Sequence, residues 1–282
     1  MRLLLIGPVL LSVAAWAQDV SPQTWQSLLH EGKRAEAEQL CTEWTRSSVP
    51  VEEAEGHRCL ASVALGGGHL QLQGSEGGGG EGKAEYSAQQ IDSAVAHLNR
   101  AVQFAPQDLS IHQDRLYVLE VSGRYTAMAS ALDESCQIYT GRDGLTAWMA
   151  YPEQLSKEGQ VRAALGLAKV LEKHFPDSAQ VIGNIGAFYT MLKENEKALP
   201  YLQKAVALEP SDPIDNWNLA RIYDLTGRVA QANEQYQKAM RLEFEPEQQK
   251  QNSCIYGKFL ETKMHDRPRA CELERSGCAP QK

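Results

Sequence analysis

The apolar and small positions of this chain fall into a block that returns after 34 residues. The stretch Asn184-Ile185-Gly186-Ala187-Phe188-Tyr189, followed by Ala198, Leu202, Ala205 and Pro210, reappears in kind as Asn218-Leu219-Ala220-Arg221-Ile222-Tyr223, followed by Ala232, Tyr236 and Ala239. A period of that length predicts one supersecondary unit per repeat, here a helix, a turn and a second helix. The small residue of the first helix, Gly186 or Ala220, lets its partner cross closely, and Ala198 or Ala232 does the same from the second helix. Tyr189, Tyr223, Leu202 and Tyr236 then fill the space between layers. Pro210 ends a second helix, because proline cannot continue one. Asp212-Pro213 restarts the chain with an N-cap and a favourable first turn.

Carried upstream in the same frame, the pattern covers 145–178, with Gly159 at the turn, Ala164, and Pro176 as terminator. Trp148, Tyr151 and Pro152 make the first helix of that segment irregular. It also covers 109–142, with Gly123 at the turn, Leu132 in the packing row and Met128 where alanine is usual. An earlier second helix carries Ala94, Leu98, Ala101 and Pro106, and the first helix matching it runs from Ala54 to Leu65, with Leu60-Ala61 at the close-packed positions and Gly68 at the turn. That frame places a 21-residue insertion in the turn, near 69–89, around the glycine-rich run Gly74 to Gly82. Such a run has no helix propensity and reads as a flexible loop. A weaker repeat occupies about 18–51, with Gly32 at the turn, Ala37 at the alanine position and Trp44 where a small residue is usual. After Glu247 a polar helix to about Thr262 and a short piece from Pro268 to Ser276 close the array, as the exposed end of stacked repeats requires.

These motifs resemble the tetratricopeptide repeat, whose pattern is large-Leu-Gly-x-x-Tyr on the first helix and Ala-x3-Phe-x2-Ala-x4-Pro on the second. Segments 179–212 and 213–246 agree with it at ten spaced positions. The resemblance implies an all-α, right-handed superhelical solenoid of about six repeats over 18–246, with a C-terminal capping helix and a cysteine-containing tail over 247–282. It also implies a binding module: first helices line a concave groove, where an asparagine before the Leu position often hydrogen-bonds the backbone of an extended peptide. Asn184 and Asn218 hold that position, Arg221 falls on the same side as Asn218, and Trp217 and Met149 sit one position earlier in the frame, where they are expected to face the groove. The partner is expected to be another protein or a peptide segment. The lysine-asparagine-arginine clamp for chaperone C-termini is incomplete, because Gly183 and Trp217 replace its polar or basic positions.

The N-terminus reads as an address. Arg2 precedes an apolar run from Leu3 to Ala15, and Ala15-Trp16-Ala17 has the small-x-small pattern of a signal-peptide cleavage site. Residues 1–17 are therefore expected to be removed, leaving a chain that starts at Gln18 in a periplasmic or extracellular compartment. No cysteine stands at the cleavage site for a lipid anchor, and no later segment has the ~18 apolar residues of a membrane span. A net charge of −8 lacks the basic footprint that phosphate contacts need, which argues against nucleic acid as partner.

The chain shows no phosphate-binding glycine loop between strand and helix, no G-x-S-x-G, no H-E-x-x-H and no C-x-x-C, so a non-enzymatic role without a cofactor is expected. His57 and Cys59 lie two apart on a helix and point to different faces, a poor metal pair even with His69 within reach. Glu52, Glu53 and Glu55 suit the first turn of a helix better than paired acid-base chemistry. In an exported chain the cysteines at 41, 59, 136, 254, 271 and 278 are candidates for disulfides. Cys41 and Cys59 flank Pro50 at nine residues on either side, and Cys254 and Cys278 flank Asp266 at twelve, so each pair is at equal height across an expected helix–helix turn. Two other readings stay open: a transient helper in the assembly or maturation of envelope or secretion components, and a thiol-redox protein using Cys271 and Cys278.

Overall fold

The computed structural model describes residues 22–67, 86–242 and 244–277. Residues 1–17, the core of the glycine-rich insertion at 68–85, and Cys278 lie outside that range. Among the described residues the chain forms fourteen α-helices and no strand, arranged as consecutive helix–turn–helix pairs. They fall into two compact units divided between Ser122 and Gly123.

The first unit contains α1 (Pro22–His30), α2 (Arg34–Trp44), α3 (Pro50–Ala64), α4 (Ala88–Phe104) and α5 (Leu109–Val121). Trp25, Ala37, Cys41, Trp44, Cys59 and Val63 form one buried cluster among α1, α2 and α3. Ala54, Ala61, Ile91, Ala94, Leu98, Ala101, Ile111 and Val118 form another among α3, α4 and α5. α2 and α3 approach so closely at Gly56 that a Cβ there would lie 2.7 Å from the Thr45 nitrogen and 2.9 Å from the Cys41 carbonyl oxygen. Cys59, one turn after Gly56, is joined in a disulfide to Cys41, with their Cα atoms 5.9 Å apart. The left-handed residues closing α3 are Gly66 and Gly67, ahead of the Gly68 expected from the 54–65 frame, and α3 itself begins earlier than that frame, at Pro50.

A polar chain runs through the first helices of this unit. The Trp25 indole donates to the buried Glu55 carboxylate at 2.8 Å, Arg58 lies 3.8 Å from the same carboxylate, and the Arg58 Nε donates to Asp114 at 2.5 Å. Burial raises Asp114 to about 7 despite the opposing pull of Arg58. Glu55 thus serves as a structural acceptor rather than a first-turn charge.

The second unit contains α6 (Tyr125–Ile138), α7 (Arg142–Lys157), α8 (Val161–His174), α9 (Ala179–Met191), α10 (Asn195–Leu208), α11 (Pro213–Leu225), α12 (Val229–Ala239), α13 (Pro246–Lys263) and α14 (Arg267–Gly277). Proline stands inside α7 at Pro152 and inside α10 at Pro200 without ending either helix. Gly186 meets Leu202 at the crossing of α9 and α10, where an added Cβ would lie 2.6 Å from Leu202 Cγ. Ala198, Ala220 and Ala232 are fully buried at the equivalent close contacts. Asp212 caps α11 by accepting from the Asp215 nitrogen at 2.6 Å, and Ser178 caps α9. The terminal pair α13–α14 closes the core of α11–α12: Tyr256, Phe259, Leu260 and Ala270 share one buried cluster with Trp217, Tyr223 and Tyr236. Cys254 is disulfide-bonded, whereas Cys136 and Cys271 carry free thiols.

Candidate functional site

Solvent-facing positions of the first helices in the second unit recur at the same steps along three consecutive elements. On α11 they are Ile214, Asn218, Arg221 and Leu225; on α9, Gln180, Asn184, Ala187 and Met191; on α7, Thr146, Ala150, Glu153 and Lys157. Each set advances by four, three and four residues, which keeps one side of a helix of 3.6 residues per turn in line. All twelve are exposed or half-buried, and their neighbours toward the second helices are buried.

The helices that carry these rows are tied together across the rows. Glu153 on α7 accepts hydrogen bonds from Gln180 and Asn184 on α9, both at 3.3 Å. Ser156 lies 3.5 Å from the Met191 sulfur. Gly183 on α9 and Asp215 on α11 are in direct contact, and a Cβ at position 183 would collide with both carboxylate oxygens. At the far end of α11, Asp224 is raised by burial, with Lys263 and Arg221 pulling the other way. Exposed apolar side chains stand among these polar groups. Met191 is 54% exposed, Leu225 55% and Ile214 60%. Two of them, Met191 and Leu225, are 34 residues apart and each lies seven residues beyond an asparagine of the pattern.

The structure thus brings Asn184, Asn218 and Arg221 to one surface. It does not bring Trp217 or Met149 there, and their expected role as groove anchors is corrected. Trp217 is 5% exposed, with its ring edge-on to Tyr236 at 4.8 Å between centroids and to Phe244 at 6.3 Å, and Met149 is 2% exposed. The reason is angular: each stands one residue before the outward row, a rotation of about 100° on a helix. The apolar surface positions that replace them, Met191 and Leu225, were legible as one more recurrence of the 34-residue period.

The other chemical candidates resolve as follows. Cys59 is held in a disulfide and so is no metal ligand beside His57, whose ring instead meets His97, Nδ1 to Nδ1, at 3.1 Å. His69 lies outside the described residues. No group of three metal-ligating side chains occurs among the described residues. Of the second cysteine pair, Cys254 is bonded while Cys278 lies outside the described residues. Among the described residues no helix is long and apolar enough to cross a membrane.

A fold of helix hairpins with small residues at close crossings, such as Gly56 between α2 and α3 and Gly186 between α9 and α10, defines a class, the helical repeat proteins. Two of its hairpins carry a family signature: residues 179–212 and 216–246 match the tetratricopeptide repeat family. Over 62 residues the chain is 42% identical to the protein CTR9 homolog of Arabidopsis thaliana, a match covering 19% of this chain and 6% of that protein. Among solved structures, it is similar to pilF of Pseudomonas aeruginosa, with a TM-score of 0.45 and 13% identity over 66% of this chain and 82% of that one. It is also similar to YrrB, a tetratricopeptide-repeat protein with an unusual peptide-binding site, with a TM-score of 0.46 and 15% identity over 64% of this chain and 89% of that one.

Proposed function

We propose that this chain is a non-enzymatic scaffold of an exported compartment, and that it holds an extended segment of another protein against the outward rows of α7, α9 and α11. The observation that carries the reading is the pairing, repeated on adjacent helices, of a half-buried asparagine with an exposed apolar residue two turns on: Asn184 with Met191, and Asn218 with Leu225. Amides placed one repeat apart suit a peptide backbone, which offers a donor or acceptor about every 3.3 Å, and the apolar ends supply area to bury. Arg221 adds a charge-assisted donor in the same row. The compartment half of the proposal rests on the signal-like residues 1–17 and on the Cys41–Cys59 disulfide, a bond that persists in oxidising surroundings.

The test is photo-crosslinking in the native compartment, with the reactive group placed at Leu225 on α11 or at Glu234, exposed on the second helix α12. Capture of one protein from position 225 and not from 234 is the expected result; capture from 234 alone would remove the reading. With the captured partner in hand, Met191→Ser with Leu225→Ser should weaken binding by about 2 kcal/mol, roughly 30-fold, for two half-exposed side chains that finish burying on contact. Asn218→Ala with Arg221→Ala should cost about 2–4 kcal/mol through lost neutral and charged hydrogen bonds. None of these four side chains lies in the packed rows, so thermal stability should be nearly unchanged.

A further inference from the structure

We propose that Asp215 is a receptor for a cation on the bound segment, so that the partner places a lysine or arginine side chain between α9 and α11. This rests on the reading of the first-helix surface as a binding face, and it names the chemistry that face selects.

Asp215 is 7% exposed, and among the described residues no hydrogen-bond donor or cation meets its carboxylate. It lies over the backbone of α9 at Gly183, one residue before the outward Asn184, where a missing side chain leaves room for it. The charges nearest to it have its own sign. Asp212 and Glu209 both push Asp215 toward the protonated form, and burial does so more strongly, raising it to about 7. Asp212 is already occupied as the cap of α11. On α9 Gly183 offers no group at all, and on α7 the Glu153 carboxylate is turned to Gln180 and Asn184. Arg221 stands six residues along α11, about 9 Å of helix rise, and acts on Asp224.

A buried carboxylate without a counter-charge is destabilising and is relieved by a cation that carries its own donors. The start of α11 supplies a dipole of favourable sign, which is a small effect beside loss of solvent. A neutral ligand gains nothing from this group, and an acidic one is repelled by three carboxylates together. The space over the buried Gly183 backbone is held by the Asp215 carboxylate itself, so a lysine or arginine would reach that carboxylate from the solvent side, its long apolar stem passing the half-buried Asn184. Ile214, next to Asp215, and Met191 at the other end of α9 would take apolar residues flanking the basic one.

The experiment is selection of random short peptides, displayed on phage, by the full exported chain with its disulfides formed. One selected peptide and its variant with the basic residue replaced by norleucine are then titrated by fluorescence anisotropy. Selected peptides should be enriched in lysine or arginine, and the norleucine variant should bind wild-type protein at least about tenfold more weakly, the range of one charge-assisted contact. Asp215→Asn should bind both peptides alike, and Gly183→Ala, which turns the carboxylate away while keeping its charge, should narrow the preference. Equal binding of the two peptides by wild type, or a preference that survives in Asp215→Asn, would overturn the inference. If the peptides bind Asn218→Ala/Arg221→Ala and Met191→Ser/Leu225→Ser as tightly as wild type, the binding face itself is wrong. Loss of binding in those variants with no basic preference sinks only the role of Asp215. Recovery of no peptide counts against both.

Discussion

Two aspartates on first helices are buried deeply enough to be raised to about 7, yet they differ in what surrounds them. Asp114 has the Arg58 guanidinium at 2.5 Å, whereas Asp215 has acids as its neighbours. Their linkage to folding has the same sign. A carboxyl whose folded value lies above the ordinary 3.8 keeps its proton longer in the folded state, so its favourable contribution is complete below about pH 4. It declines as pH rises to about 7 and is flat beyond. Asp215→Asn removes that decline at one site. Denaturant unfolding at pH 4.5 and at pH 8 should therefore show the variant gaining on wild type at the higher pH, and a constant difference between the two would contradict it. The same change at Asp114 should destabilise instead, because it leaves a half-buried Arg58 short of its partner. Burial is common to both, and the presence of a counter-charge, not residue type, is what separates them.

Within each hairpin the turn between helices repeats one conformation. Gly32, Gly159 and Gly227 all have φ between 74° and 81°, and in each case the left-handed residue ends the first helix of its pair. At Gly227 the next nitrogen, Arg228, donates back to the Tyr223 carbonyl at 2.8 Å, satisfying a group that the helix end leaves open. The pair α9–α10 makes the same bond, from Glu194 to the Tyr189 carbonyl at 2.9 Å, but with Lys193 at φ 62°. A side chain in that region costs about 1–2 kcal/mol, and glycine gives back part of the gain through its freer unfolded chain. Lys193→Gly should raise stability by about 0.5–1 kcal/mol, read as a shift in denaturant midpoint with unchanged slope; no shift would show that the local turn carries no strain. The periodic glycines were visible in the sequence, so this turn was placed there by spacing alone. The frame slipped only at α3, where the glycines crowd at 66 and 67 and Pro50 moves the helix start upstream.

At the scale of the whole molecule the helical repeat organises two units, each with its own buried clusters, and one disulfide staples the first. The bridge spans 18 residues of sequence, for which a chain-entropy estimate is about 3 kcal/mol. On the exported-compartment proposal, material purified from its native compartment should begin at Gln18 and yield a Cys41–Cys59 peptide under non-reducing digestion. Cys41→Ala with Cys59→Ala should speed hydrogen exchange in α2 and α3 while the α9–α12 amides keep theirs. A chain retaining Met1 with free thiols at 41 and 59 would remove the exported-compartment proposal.

What the sequence determined by itself was local and periodic: hairpins spaced by 34 residues, small residues at the crossings, the Asp212 cap before α11, and the two asparagines in register. These depend on rise and angle along a single helix and need no knowledge of neighbours. The tertiary structure decided which side of the helix beside those asparagines is covered by neighbours and which meets solvent. Trp217 stands one residue from the outward row, and that 100° turn sends it into a core completed by Tyr236 and Phe244. Likewise, Gly183 and Asp215 carry no special pattern in the chain, being separated by nearly a full repeat. Only the packing of α9 against α11 seats a carboxylate on the backbone that the glycine leaves bare. The chemistry of a repeat protein's surface is set across repeats, where one helix removes water from the side chains of the next.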